Sequence, residues 1–462
     1  MSKVILVTGA NTGIGFELVR LLAAQGHTVY LGARNPDAGA TAQTTLVNEG
    51  LTNVKFVLID LNDIATIEAA KETIEKEEGK LDVLVNNAGI SKFEDRELSP
   101  LTVKISSIRA TMETNLFGTI QVTQTFLPLL RKAAPGSVIL NVSTEMASNS
   151  WMAARNFGHW IPYNASKAAT NSFAISLAKE LEPEGIKVNA VTPGYTSTKL
   201  NFFGQGGKSA KAGAECLLPF ALLDKDGPTC ANTGIGFELV RLLATKGHKV
   251  YLGARNPAAG AEAQATLAKE GLTNVKSIQL DLNDISTIHA AKAIIAKEEG
   301  KLDVLVNNAG ISKMEDEQTA TTVKIASIRE TMETNLYGTI EVTQAFLPLL
   351  RNAAPGSVIL NVSTDMASNH WMATHNFGHW VAYNTSKAAL NSFGISLAKE
   401  LEPEGIKVNA VTPGYTSTKL NFFGQGGKSV ADGAKTLLPW ALIDKDGPTC
   451  KFFDEHGNEL EW

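Results

Sequence analysis

Short apolar runs alternate with helix-length amphipathic stretches from the start of the chain. Val4 to Val7, Val29 to Leu31, Val54 to Ile59, Val83 to Val85, Val138 to Val142 and Lys187 to Val191 are rich in valine and isoleucine. Runs this short predict strands buried on both faces, and the amphipathic stretches between them predict covering helices. The pattern therefore predicts an α/β chain on a parallel sheet, with Phe16 to Ala24 as the first helix.

The pattern then starts again. Asn11-Thr12-Gly13-Ile14-Gly15-Phe16-Glu17 returns as Asn232-Thr233-Gly234-Ile235-Gly236-Phe237-Glu238, and Asn115 returns as Asn335, one residue nearer than that offset requires. The missing residue falls in a loop near Leu98 to Leu101, where changes of length are tolerated. A repeat of this length is a whole domain rather than a solenoid unit. The expected fold is two Rossmann-like, doubly wound parallel-sheet domains, residues 1–229 and 230–462.

The duplication is imperfect at its junction. Asp224-Lys225-Asp226-Gly227-Pro228-Thr229-Cys230 runs straight into Ala231-Asn232, whereas Asp446-Gly447-Pro448-Thr449-Cys450 continues into Lys451-Phe452-Phe453-Asp454. Copy one thus lacks the last apolar segment. Copy two lacks a counterpart of the opening strand Lys3 to Thr8 and carries Cys230 where Gly9 stands. In this fold the opening strand lies at the sheet centre, and Asp224 to Pro228 is too polar and proline-broken to replace it.

Composition narrows the classes of partner. At 44% hydrophobic and 19% charged the chain reads as ordinary globular protein. Its net charge of -5 gives no broad basic field, so neither nucleic acid nor an anionic membrane is expected, and small molecules are. No apolar stretch approaches the ~20 residues of a membrane span, and Met1-Ser2-Lys3 does not open a signal peptide. Cys216, Cys230 and Cys450 form neither a paired framework nor a metal-ligand spacing, so no metal is expected and a reducing cytoplasm is.

The turn Thr8-Gly9-Ala10-Asn11-Thr12-Gly13-Ile14-Gly15 joins the first strand to the first helix. Glycines there let backbone approach a pyrophosphate, and free N–H groups at the helix start meet its charge. The second strand ends in Gly32-Ala33-Arg34, where the adenosine ribose of a dinucleotide lies. An arginine suits a 2′-phosphate, so NADP(H) is expected over NAD(H), against the plainer reading of Arg34 as a solvated surface charge. Tyr163 and Lys167, one helical turn apart, share a face. An ammonium beside a phenol lowers its pKa, making the tyrosine a proton donor and acceptor.

With these pieces go Asp60-Leu61, Asn86-Asn87-Ala88-Gly89, Asn115, Asn141-Val142-Ser143-Thr144 and Pro193-Gly194, in order along the chain. Together they resemble the short-chain dehydrogenase/reductase superfamily, and within it the carbonyl reductases, over nearly all of both copies. The resemblance implies that Tyr163 is the general acid/base, that Lys167 holds the nicotinamide ribose, and that Asn115 positions a water behind that lysine. It implies a substrate-polarising hydroxyl on Thr144 or Ser143, between which the sequence leaves the choice open. It places Gly9, Asn11, Gly13, Ile14, Gly15, Asp60, Leu61, Asn87, Pro193 and Thr198 at the cofactor, Thr198 on the carboxamide. Lys199 to Cys216, with Phe202-Phe203, Gly204, Gly206 and Gly207, resembles the family's substrate lid. Asn149-Ser150-Trp151 and His159-Trp160 read either as a pocket wall or as a surface excursion.

Copy two repeats Asn335, Ser363-Thr364, Tyr383, Lys387, Arg255, Asp281 and Asn308, so its catalytic set is complete while its nucleotide end is not. The expected activity is NADPH-dependent reduction of a ketone, aldehyde or quinone, or the reverse oxidation, centred on copy one. Copy two is expected to bind NADPH weakly or not at all and to serve as a pseudo-dimer partner, homo-oligomers being the other possibility. Two alternatives stand beside this: a non-catalytic NADP-binding sensor or scaffold, and an artefactual fusion of two neighbouring reductases.

Overall fold

The computed structural model describes residues 2–92, 99–155, 160–198, 200, 207–217, 235–313, 316–375, 379–417 and 426–462, without the side chains of residues 150, 213 and 216. In the N-terminal half, β1 (Val4–Val7), β2 (Thr28–Ala33), β3 (Val54–Leu58), β4 (Val83–Asn86), β5 (Val138–Val142) and β6 (Lys187–Val191) form one parallel sheet in the order β3-β2-β1-β4-β5-β6. The six apolar runs of the sequence are these strands. β1 sits centrally, with Ile5 paired to Val29 on one side and to Val83 on the other. Doubly wound order puts the switch point, and the chain's strand-to-helix turns, at the carboxyl ends of β1 and β4.

In the C-terminal half the strands are β7 (Val250–Ala254), β8 (Val275–Gln279), β9 (Val304–Asn307), β10 (Val358–Val362), β11 (Lys407–Val411) and β12 (Phe452–Phe453). They make two sheets: a pair, β7-β8, and a four-stranded sheet, β12-β11-β10-β9. The break falls between the counterparts of β2 and β4, where β1 stands in the first half. Losing a central strand removes the backbone partners on both of its sides. The core divides with the sheet. In the first half Ile5 and Val7 join the Gly13–Ala24 helix to Leu31, Val54 and Val85 in one cluster. In the second half that face is two clusters, one around Leu239, Leu360 and Val411 and one around Leu252, Leu267 and Val275.

The two halves are locked together by helices Ile161–Leu181 and Val381–Leu401. Both are buried on nearly every side and carry runs of Ala, Ser and Thr, so they present no single amphipathic stripe and pack closely against both sheet and partner helix. The contact is reciprocal. Gln124 Nε2 donates to Val323 O at 3.2 Å, and Gln344 Nε2 to Pro100 O at 3.0 Å. Arg109 pairs with Glu333 and stacks on Tyr337; Arg329 pairs with Glu113 and stacks on Phe117. A single apolar core, including Phe126, Phe173, Leu347 and Phe393, spans the two halves. Among the described residues no helix is long and apolar enough to cross a membrane.

Candidate active site

Sequence dictates the glycine turn directly. Gly9 and Gly13 adopt φ of +61° and +64°, a region that strains other residues. A Cβ on Gly9 would stand 2.8 Å from Ala88 Cα, and one on Gly15 would stand 2.4 Å from Asn87 Nδ2. Asn87 is spent here: its Nδ2 donates to Thr8 O and Gly9 O at 2.9 and 3.0 Å, tying the β4 loop to the turn. Asn11 and Ile14 line the same turn, half-buried, ahead of and within the Gly13–Ala24 helix. Thr198 comes from the opposite side, its Cβ 3.8 Å from where a Gly13 Cβ would be.

Arg34 is exposed just beyond β2, where Asn35 caps the next helix by accepting from Ala38 N at 2.8 Å. Asp60 is held by its neighbours, its Oδ1 accepting from Asn62 N at 3.0 Å, and Leu61 is buried beneath it. Pro193 is buried at the end of β6, and Gly194 N donates to Thr192 Oγ1 at 3.1 Å.

Asn115 lies in a π-helical turn, Glu113–Gly118, fully buried. Such turns commonly sit at functional positions because the extra residue reorients a side chain. Asn115 Oδ1 accepts from Ile90 N at 2.8 Å, and its Nδ2 donates to Ile90 O and Ser166 Oγ, each at 2.9 Å. A Cβ on Gly89 would stand 3.2 Å from Asn115 Oδ1 and 3.7 Å from Lys167 Nζ, so asparagine, lysine and the β4 loop converge.

Tyr163 and Lys167 are both buried in the first turns of the Ile161–Leu181 helix. Lys167 Nζ donates to Val142 O at 2.8 Å. Burial pushes the Tyr163 phenol up to about 12 and the Lys167 ammonium down to about 8. The expectation that the lysine pulls the phenol's pKa down is not met: removal of each group from water sets the direction of its shift.

Of the two candidate hydroxyls, Ser143 is buried and donates to Asn171 Oδ1 at 2.7 Å. Thr144 is half-buried, its Oγ1 accepting only a long bond, 3.3 Å, from Met146 N. Trp151 belongs to a short helix, Asn149–Ala153, and Trp160 takes a left-handed φ of 71° directly before the Tyr163 helix. Opposite it, Met372 receives a 3.5 Å contact from Ser172 Oγ, and Met152 the equivalent from Ser392 Oγ. Each half's pre-tyrosine segment therefore packs on the other half's tyrosine helix. His159, and the lid residues Phe202, Phe203, Gly204 and Gly206, lie outside the described residues, as does Cys230.

In the second half Asn335, Ser363, Tyr383 and Lys387 repeat this arrangement: Asn335 Nδ2 to Ser386 Oγ at 2.9 Å, Ser363 Oγ to Asn391 Oδ1 at 2.7 Å, Lys387 Nζ to Val362 O at 2.9 Å. Burial brings Lys387 down to about 8 as well. One residue that sequence reading passed over breaks the equivalence. Asp365 replaces the exposed Glu145, and Thr364 Oγ1 donates to its carboxylate at 3.0 Å. Burial lifts Asp365 to about 6, and burial together with its negative charge pushes Tyr383 above the usual phenol range. The signal was a change of acid length beside a candidate hydroxyl. Thr364 is also fully buried where Thr144 is not.

A family profile described as short chain dehydrogenase matches residues 3–203 and again residues 229–423. The chain belongs to the short-chain dehydrogenase family, as a tandem duplication. Among short-chain dehydrogenase relatives, the chain is 35% identical over 218 residues to short-chain dehydrogenase anuI of Penicillium roqueforti, covering 46% of this chain and 84% of that one. It is 30% identical over 300 residues to (-)-isopiperitenone reductase of Mentha piperita, covering 49% of this chain and 94% of that protein. As a whole it resembles the N-domain, with NADP, of a bacterial malonyl-CoA reductase, with a TM-score of 0.74 at 18% identity over 99% of this chain and 98% of that one, a likeness of fold.

The two buried short-chain dehydrogenase lysines give a pH signature. Folding lowers their pKa from 10.5 to about 8, so between pH 8 and 10 the unfolded chain binds protons that the folded chain has released. Stability therefore rises with pH across this window on their account. Thermal melts of wild type and of a Lys167→Met/Lys387→Met variant are expected to converge in favour of wild type as pH climbs from 8 to 10. Parallel curves would show that the lysines are not desolvated.

Proposed function

We propose that the N-terminal half is an NADP(H)-dependent oxidoreductase that reduces a ketone, aldehyde or quinone to the alcohol, or runs the reverse. The carrying observation is that Lys167 reaches Val142 O at the carboxyl end of β5, with Tyr163 buried one turn earlier in its helix, the half-buried Thr144 two residues past β5, and the glycine turn following β1 of the same parallel sheet. The names of the relatives, a dehydrogenase and a reductase, agree with this reading.

The residues present fit the dinucleotide. Gly9, Gly13 and Gly15 leave a cradle that side chains would fill, Asn11 and Ile14 open the helix N-terminus, and Arg34 offers an exposed guanidinium for a 2′-phosphate. Asp60, Leu61, Pro193 and Thr198 border its adenine and nicotinamide ends, and Asn87 acts through the turn it ties. When bound, the nicotinamide supplies hydride to the carbonyl carbon.

Thr144 hydrogen-bonds the substrate oxygen, Ser143 being committed to Asn171. Tyr163 gives that oxygen its proton. A phenol at about 12 holds its proton at neutral pH, the state that reduction requires. Lys167, steadied by Val142 O and standing near Asn115, opposes the negative charge left on the tyrosine and replaces its proton through the asparagine side.

Copy two is then a partner of reduced activity. Among the described residues no strand joins its β7-β8 pair to β9, Cys230 stands in the sequence at the Gly9 position, and Asp365 engages Thr364 and disfavours the Tyr383 phenolate. Its interlocked helices hold the wall before Tyr163, as a second subunit would.

NADPH consumption by the purified chain against a panel of ketones, aldehydes and quinones tests the activity; no turnover with any class would sink it. Arg34→Ala is expected to raise KM for NADPH about 10- to 100-fold, as loss of a charge-assisted phosphate contact of ~1.5–3 kcal/mol implies, and to leave KM for NADH unchanged. Equal effects on both cofactors would return Arg34 to a surface charge.

A further inference from the structure

From Ile175 to Ser209 the chain is repeated without a change as Ile395 to Ser429, so β6 and β11 have the same sequence. Their surroundings differ. β11 is covered by β12, and Ala410, Val411 and Thr412 are buried. Ala190 in β6 and Thr192 just beyond it are exposed, and Val191 is half-buried. In both halves alternate residues of the strand face inward: Lys187 N donates to Ser137 O, and Ser143 N to Val191 O. Alternation sends the Ala190 and Thr192 amides to the outer edge, where no strand lies among the described residues.

The second half shows what such an edge accepts. Ala410 N donates to Lys451 O and Thr412 N to Phe453 O, each at 2.9 Å. Phe452 is buried in the core and stacks on Trp462; Phe453 stacks on Trp440. The segment then folds back, Leu460 N donating to Phe452 O at 2.8 Å, and Glu455 pairs with Lys428 at 2.6 Å. Lys208 occupies in the first half the position of Lys428. Two edges thus share one sequence, and among the described residues one of them, β11, is paired by residues 451–462.

We propose that the outer edge of β6 is a strand-acceptor site for an extended segment, supplied by another polypeptide, with the chemistry of Lys451–Trp462: two adjacent aromatic residues followed by an acidic turn. Backbone pairing supplies affinity, and the aromatic pair and the acid facing Lys208 supply selectivity. A second copy would offer its residues 451–462 only by vacating its own β11.

The test is fluorescence anisotropy with a labelled synthetic peptide of residues 451–462, titrated with the full chain. Saturable binding at one peptide per chain is expected. It should weaken at least tenfold for Ala190→Pro, which removes the outward N–H at an edge position where proline is tolerated. A peptide with alanine at both phenylalanines should weaken equally, and it serves should the proline variant fail to melt cooperatively. No saturable binding, or binding indifferent to both changes, overturns the proposal. Indifference to Ala190→Pro alone in a folded variant does so too, since it means the peptide displaces the resident β12.

Discussion

Tyr163→Phe is expected to lower kcat for NADPH-dependent carbonyl reduction by about 10²- to 10⁴-fold, the range removed with a positioned proton donor. Phenylalanine keeps the ring, its volume and its packing in the first turns of the Ile161–Leu181 helix, so folding and NADPH affinity should change little. Only the proton is lost. Steady-state rates for the variant, beside its NADPH dissociation constant by calorimetry, separate the two. The matching Tyr383→Phe should leave the rate within about twofold, because the second half is proposed to contribute little turnover. A Tyr163→Phe enzyme that keeps its rate, or a Tyr383→Phe enzyme that loses it, would reverse the assignment of the working half.

Gly9→Cys should weaken NADPH binding on the order of 100-fold, by writing into the first half the residue found at the start of the second. Gly9 has a φ of +61°, which costs a residue with a Cβ roughly 1–2 kcal/mol. The new Cβ would also meet Ala88 Cα at 2.8 Å, and Asn87 holds the turn through Gly9 O at 3.0 Å, so the loop cannot simply retreat. Displacing it moves the backbone N–H groups that would face the pyrophosphate. Calorimetric titration of NADPH into Gly9→Cys measures this, and an unchanged dissociation constant would mean that a cysteine at this position does not weaken cofactor binding.

Much of this arrangement was legible in the chain. Six short runs rich in valine and isoleucine became β1 to β6 with ends shifted by at most two residues, although β3 and β6 are buried only in part. The glycine turn was legible because only glycine fits its dihedrals and close contacts. Comparing the two copies pointed to the break between β7 and β9, since the second copy has no counterpart in sequence of the run that forms β1. The choice between Ser143 and Thr144 was not legible: adjacent hydroxyls differ only in which one Asn171, twenty-eight residues from Ser143, takes up. Nor was Asp365, whose effect depends on burial beside Thr364 and Tyr383.

Sequence alone therefore determined the family, the duplication, the strands and the residue types of the site, all of which follow from local pattern and from side-chain chemistry. Tertiary structure decided what depends on neighbours distant along the chain: the division of the second half's described strands into two sheets, and the interlocking of the two tyrosine helices. It also decided the direction of the Tyr163 and Lys167 shifts. That last outcome differed from expectation because the attraction of a pair can be read from spacing, whereas the cost of taking both members out of water is set by everything packed around them.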